Sequence, residues 1–303
     1  MSSSKAYVSD MSVEVKPRRM SFPFKRTRKR FFFDNNPVKS VFWAALSATF
    51  PAGEKEFIDS VRLFKDQVKD PELLDQVKGF IGQEGHHSGQ HMQMNKQLRD
   101  LGLDAVRLEK HLERDIKKFV PSRPNRERLA MTVGMEHITA IMADHALNNP
   151  EVFDGMDPTI RDLLLWHAVE EIEHKAVAFD VFMLCDGDQK YLHKTMKVVI
   201  KLFVIRIFCY MIGLLWWSRS LPRWRDIKGF YKMLYGEKGI ITCIKSSYRD
   251  YFRDGFHPWD HQNQALVDMW KEKFYDEKYD RGSDKFERDL ATVDEVSSET
   301  VTA

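Results

Sequence analysis

The stretch Phe80–Asn95, FIGQEGHHSGQHMQMN, constrains the fold more than any other part of the chain. Read as a helix advancing 100° per residue, it places His91 about 20° and His87 about 60° from Glu84, so one carboxylate and two imidazoles share a sector. That is a metal-ligand spacing. A second segment, Trp166–Phe179 (WHAVEEIEHKAVAF), repeats it as Glu171-x-x-His174, with His167 one turn before the glutamate. Two such segments, joined by one inward glutamate from each of two further helices, form a dinuclear site inside a four-helix bundle.

The two extra glutamates are present. A first helix, from about Ser40 to Val68, carries Glu54 on the same arc as Phe50, Phe57, Ile58 and Val61, with Pro51 and Gly53 blurring its start or kinking it. A third, from about Asn125 to Leu147, carries Glu136 among Leu129, Val133, Ala140 and Ala143. A carboxylate on an apolar stripe must be paired, protonated or bound to a metal. Asp70-Pro71 and Asp157-Pro158 supply cap and first-turn proline for the two histidine-bearing helices, and a shorter helix, Leu103–Phe119, bridges the hairpins. The order is glutamate, thirty residues, Glu-x-x-His, then glutamate, thirty-five residues, Glu-x-x-His. With no strand-like alternation, the expected fold is all-α: a ferritin-like four-helix bundle with additional C-terminal helices.

Composition adds limits. The 303 residues can bury a large core, and a net charge of +2 gives no general reason to expect nucleic acid. The imbalance is local, with eight Lys or Arg and no acid in residues 16–30. Residues 1–34 read as a basic, mostly disordered arm whose cations, with Phe31, Phe32 and Phe33, suit a membrane-surface or polyanion contact. Residues 35–280 read as a single helical metal-binding domain (bundle about 40–186, extension about 189–278), and 281–303 as a disordered tail. Three scattered cysteines fit reduced thiols in the cytoplasm, and the first thirty residues lack a signal-peptide core. Met196–Trp217 is apolar but interrupted by Lys197, Lys201 and Arg206, leaving eleven uncharged residues from Ile207 to Trp217 where a span needs about twenty. It reads as a helix covering the bundle, with membrane-surface attachment through residues 196–225 as the alternative.

Four carboxylates and two imidazoles suit iron first and manganese second, as two divalent ions, rather than a structural zinc. His91 and His167 stand one turn from their partners and are either further ligands or groups that orient one. Glu170, about 40° from His174 on a helical wheel, either replaces Glu171 as ligand or serves as a base beside it. His86, His137 and His145 point elsewhere and read as surface or packing residues.

LSATFPAGEKEFI, FIGQEGHHSGQH, GMEHITAIMADH and WHAVEEIEHKAVAFDVF resemble the motif blocks of a bacterial family described as predicted metal-dependent hydrolases, and PRRMSFPF and FHPWDH resemble its flanking motifs. The likeness runs from about Val15 to Asp260 and implies a transition-metal protein. The bundle pattern also resembles the di-iron carboxylate proteins. By that analogy Glu54, Glu84, His87, Glu136, Glu171 and His174 are the ligands, while His91 and His167 exceed the usual two imidazoles. The ligand types lean toward a dioxygen-using oxidoreductase acting on an apolar or lipid-like small molecule. The family description points to the alternative, a hydrolase in which two metals acidify a shared water, with Glu170 as proton shuttle. A metal store or sensor is the third reading.

Overall fold

Side-chain caps and first-turn prolines set the frame. In the computed structural model, which describes residues 13–276, the Asn36 side chain accepts from the amides of Val38 and Lys39 ahead of Pro37 and opens α1 (Pro37–Arg62). Asp70 does the same for α2 (Pro71–Asp100), and Asp157 for α5 (Pro158–Glu173). Between them lie α3 (Ala105–Phe119) and α4 (Asn125–Asn148). Helix α1 pairs with α2 and α4 with α5, while α1 meets α4 and α2 meets α5, so four helices enclose one core. Among the described residues there is no strand, only a bridge between Phe33 and Met156. The all-α expectation holds.

Pro51 does not end α1, which runs through it. A proline cannot bond the carbonyl four residues back, and that carbonyl, on Ser47, accepts instead from the Asn95 side chain of α2 at 3.2 Å. The helix break falls elsewhere. The Trp166–Phe179 segment is divided at His174–Ala176 between α5 and α6 (Val177–Cys185), with no Gly or Pro to mark the place. At the break Lys175 is buried, donating to the His261 carbonyl at 2.7 Å and lying 3.8 Å over the Trp259 ring, so the FHPWDH loop holds the ammonium.

The basic segment is a correction. Residues 13–34 pack on the bundle rather than forming a mostly disordered arm, while residues 1–12 lie outside those described. Phe22, Phe24, Phe32 and Phe33 are buried, with Phe22 5.7 Å from Trp166. Phe32 and Phe33 therefore do not reach a membrane, because the apolar rings interleaved with the cations are core residues. Two glycines let the segment lie down. A Cβ at Gly79 would come 1.9 Å from the Val15 carbonyl oxygen, and one at Gly82 would come 2.3 Å from the Pro17 ring.

Beyond the bundle, α7 (Gln189–Trp217) packs along α4 and α1, and α8 (Trp224–Tyr235) and α9 (Ile240–Asp250) follow. Helix α7 is long and apolar enough to cross a membrane, with 28% of its most apolar window buried. The chain divides into two compact units, the first reaching Gln262 and the second starting at Asn263. In the second, α10 (Gln264–Lys271) buries Val267 and Trp270 and passes into a π-helical turn, Glu272–Asp276. The expected tail, 281–303, lies outside the described residues.

Candidate metal centre

All nine candidate side chains, from α1 (Glu54), α2 (Glu84, His87, His91), α4 (Glu136) and α5 with its C-cap (His167, Glu170, Glu171, His174), are buried together in the bundle core. Ligand atoms of Glu84, Glu171 and His174 lie within 4.8 Å of one another, and so do those of Glu54, His87 and His167. Glu136 joins the first set, its Oε2 3.3 Å from His174 Nε2. Glu171 touches both, with Oε1 2.6 Å from His167 Nε2 and 3.7 Å from His87 Nδ1.

Each of the three inward imidazoles is turned by a partner behind it. For His174 the partner is Gln83, whose amide nitrogen donates to the Lys16 carbonyl (3.2 Å) and to Glu173 (2.8 Å). Its oxygen, 2.9 Å from His174 Nδ1, therefore accepts. Nδ1 carries the proton, and the lone pair sits on Nε2, facing Glu84 at 3.1 Å. For His87 the partner is Glu170, 3.0 Å from Nε2, which leaves Nδ1 toward Glu84 and Glu171.

For His167 the chain is longer. Asn95 commits both amide hydrogens, to the Ser47 carbonyl and to Glu109 (2.8 Å), so its oxygen accepts from the Ser47 hydroxyl at 2.7 Å. That hydroxyl has no second hydrogen and must accept from His91 Nδ1 at 3.0 Å. His91 Nε2 then accepts from His167 Nδ1 at 2.8 Å, and the His167 Nε2 lone pair points at Glu171. Both His91 nitrogens are engaged in this chain, which places His91 behind His167 with no free lone pair for a cation.

The donor set fits a cation. Lone pairs on Nε2 of His167 and His174 meet carboxylate oxygens at 2.6 and 3.1 Å, an approach that needs a proton or a metal ion between them. Both oxygens of Glu84 and of Glu136, one each of Glu54, Glu170 and Glu171, Nδ1 of His87 and Nε2 of His174 are buried without a hydrogen-bond partner. So many orphaned polar atoms in one core are costly unless a cation collects them. Protons fill part of this role: burial holds the Glu54 carboxyl well above its usual range and Glu136 up to about 8. Against burial, the carboxylates of Glu170, which accepts from Nε2, and of Glu84, 3.8 Å from Nδ1, raise His87 to about 10. Burial likewise opposes the ionised form of Glu171, yet the His167 and His174 imidazoles beside it hold it well below the usual value. Oxygen and nitrogen donors without sulfur suit a borderline-hard divalent ion.

Several contributors were not singled out from sequence. Gln83, Glu173, Ser47 and Asn95 are polar residues at buried helix positions, and that was the available signal, while half-buried Ser88 donates to Glu54 at 2.7 Å. Arg18, from the basic segment, grips Glu173 through two bonds of 2.6 and 2.8 Å and lies 3.6 Å from Glu170. No local pattern links it to Glu173, 155 residues away. His145, read as surface or packing, is buried and lines a pocket of about 680 Å³, counted out to its mouth. Its lining is mostly apolar, with Trp43, Phe50, Met142, Phe153 and Phe203, and also includes His167 and Glu171. Glu170 is not part of that lining.

Comparison with curated proteins returns no match, and comparison with solved structures returns none. The model of one family, described as predicted metal-dependent hydrolase, matches residues 16–262, the span that contains all nine candidate side chains and the residues behind them. The chain belongs to that family of predicted metal-dependent hydrolases.

Proposed function

We propose that the protein is a metal-dependent hydrolase whose substrate is an ester or amide with an apolar tail. The observation that carries the reading is the pocket: its mostly apolar walls lead to His167 and Glu171, two residues of the candidate centre. An apolar chain lying against Trp43, Phe50 and Phe153 would present its polar end to those two side chains. When bound, a pair of divalent ions supplies an acidified water and polarises the carbonyl. The chain's own residues hold the site still: Gln83 and the Ser47–His91 pair fix which imidazole nitrogen faces inward, and Glu170 steadies His87. Glu170 touches His87 and does not line the pocket, so in this reading it orients a ligand rather than shuttling protons to substrate.

The family description favours hydrolysis over the oxygen chemistry that the ligand types suggest. We assign Glu54, His87 and His167 to one ion and Glu84, Glu136 and His174 to a second, with Glu171 between them, and iron or manganese as the metals. The test is to load metal-free protein with manganese, zinc or iron and offer aryl esters of increasing acyl length. Metal-dependent cleavage that rises with chain length, and that Ala143→Phe suppresses for long chains by filling the pocket, supports the reading. No cleavage with any metal, with a near-ultraviolet charge-transfer band on admitting air to the ferrous protein, replaces it with oxygen chemistry.

A further inference from the structure

Helix α7 buries one face against the bundle through Leu192, Met196, Val199, Ile207, Met211 and Leu214. Its opposite face is not polar. Val198, Leu202, Ile205, Phe208, Ile212 and Trp216 recur every three or four residues, forming one stripe on the outside of the protein. Each is about half exposed or more, with Phe208 at 63% and Trp216 at 80%. At 1.5 Å per residue the stripe is about 27 Å long. A second stripe continues on α8 through Trp224 (78% exposed), Ile227, Tyr231 and Tyr235. Isolated surface apolar residues need no explanation, but two rows of them at helical spacing do.

The charge around the stripes narrows what can cover them. From Gln189 to Gly236 the chain has ten Lys or Arg and a single acid, Asp226, which is buried and spends its carboxylate on the Arg223 amide. Lys194, Lys197 and Lys201 are exposed at one end of the α7 stripe, and Arg219, Arg223 and Arg225 at the other. The basic segment adds to the second end: Arg30 reaches the Ser218 carbonyl at 3.3 Å, and its neighbours Arg28 and Lys29 are exposed. A second copy of the chain on this face would bring cations against cations. A bilayer span is excluded by the helix's own packing, since its inner face belongs to the core of α4 and α1. What fits is a flat surface, negative at its border and apolar beneath, with tryptophan and tyrosine at the boundary.

We propose that the outer face of α7 and α8 is the seat of an anionic lipid bilayer, on which the protein lies with both helices parallel to the surface. The placement also serves the pocket. Phe203, between Leu202 and Val204 on α7, and Ile240, at the start of α9, both line it, so a chain leaving the bilayer along α7 has a short path to the centre. The docking surface itself does not depend on whether the chemistry is hydrolytic.

The test uses the full, metal-loaded chain floated with vesicles of phosphatidylcholine alone and of phosphatidylcholine mixed with phosphatidylglycerol. The expected result is binding to the mixed vesicles only, weakened by salt. Phe208→Glu with Trp216→Glu should lower it at least about tenfold, and Lys201→Glu with Arg223→Glu by a similar factor. These positions are exposed, and unchanged circular dichroism and metal content show that the variants fold. Equal binding to both vesicles, binding that the variants leave intact, or no binding overturns the proposal. So does a wild-type dimer, seen by light scattering, that the same variants dissociate.

Discussion

The Gln83 side-chain oxygen lies 2.9 Å from Nδ1 of His174, and that contact decides which imidazole nitrogen faces Glu84 and Glu136. The amide cannot reverse, because its nitrogen is committed to Glu173 and the Lys16 carbonyl. Gln83→Leu should therefore lower metal affinity by roughly 10- to 100-fold with little loss of helix content. Competition with a chromogenic chelator reads this directly, and an unchanged affinity would show that the amide is not orienting the ring.

Ser47 holds the same position in the other chain. Ser47→Ala removes the acceptor for His91 Nδ1 and leaves a buried donor unpaired, a cost of about 1–3 kcal/mol. On the proposed assignment the loss should fall on the position formed by Glu54, His87 and His167 before the one formed by Glu84 and His174. Elemental analysis at limiting metal should then approach half the wild-type content, and equal loss from both positions would contradict the two-chain arrangement.

Metal uptake should release protons and strengthen as pH rises. Glu136, raised to about 8 by burial, and His87, raised to about 10, must be deprotonated to act as ligands. The same shifts set the stability of the metal-free protein. Because the folded value of Glu136 exceeds the unfolded one, its contribution is fully present below 4.5 and is lost as pH climbs through about 8. His87 follows between 6.5 and about 10. Thermal melts from pH 6 to 9 should thus show falling stability without metal and a growing increment with it. An increment independent of pH would mean that these side chains do not bind the ion.

Removing a ligand should remove metal. Glu84→Ala and Glu171→Ala are each expected to reduce bound metal, Glu171→Ala more severely because its carboxylate reaches His167, His87 and His174. Full metal content in both proteins would sink the assignment of the centre.

The basic segment should matter for stability as well as charge. Arg18→Ala strips Glu173, which is 1% exposed, of its two-pronged partner, and breaking such a buried pair costs on the order of 3 kcal/mol. Urea denaturation would report the loss. Arg18→Lys should recover only part of it, since an ammonium cannot reproduce the fork.

The sequence by itself marked the candidate side chains. Helical spacing put Glu84 and His87, and Glu171 and His174, on common faces, and a carboxylate on an apolar arc marked Glu54 and Glu136, because helix geometry is local and burial of an unpaired acid is costly whatever surrounds it. The same local rules gave the all-α class and the capped starts of α2 and α5. Tertiary structure decided the rest. Whether His91 or His167 offers a lone pair to the centre depends on Ser47, Asn95 and Glu109, drawn from three helices. That Glu170 stands behind His87 depends on how α5 meets α2, a rotation that spacing along one helix cannot fix. The Arg18 contact depends on two glycines of α2 far away in the chain, and the burial of Phe32 and Phe33 goes with the backbone pairing of their stretch with Met156 and Asp157. A hydrogen-bond tautomer is set by every partner in its chain at once, and those partners become neighbours only when the helices pack.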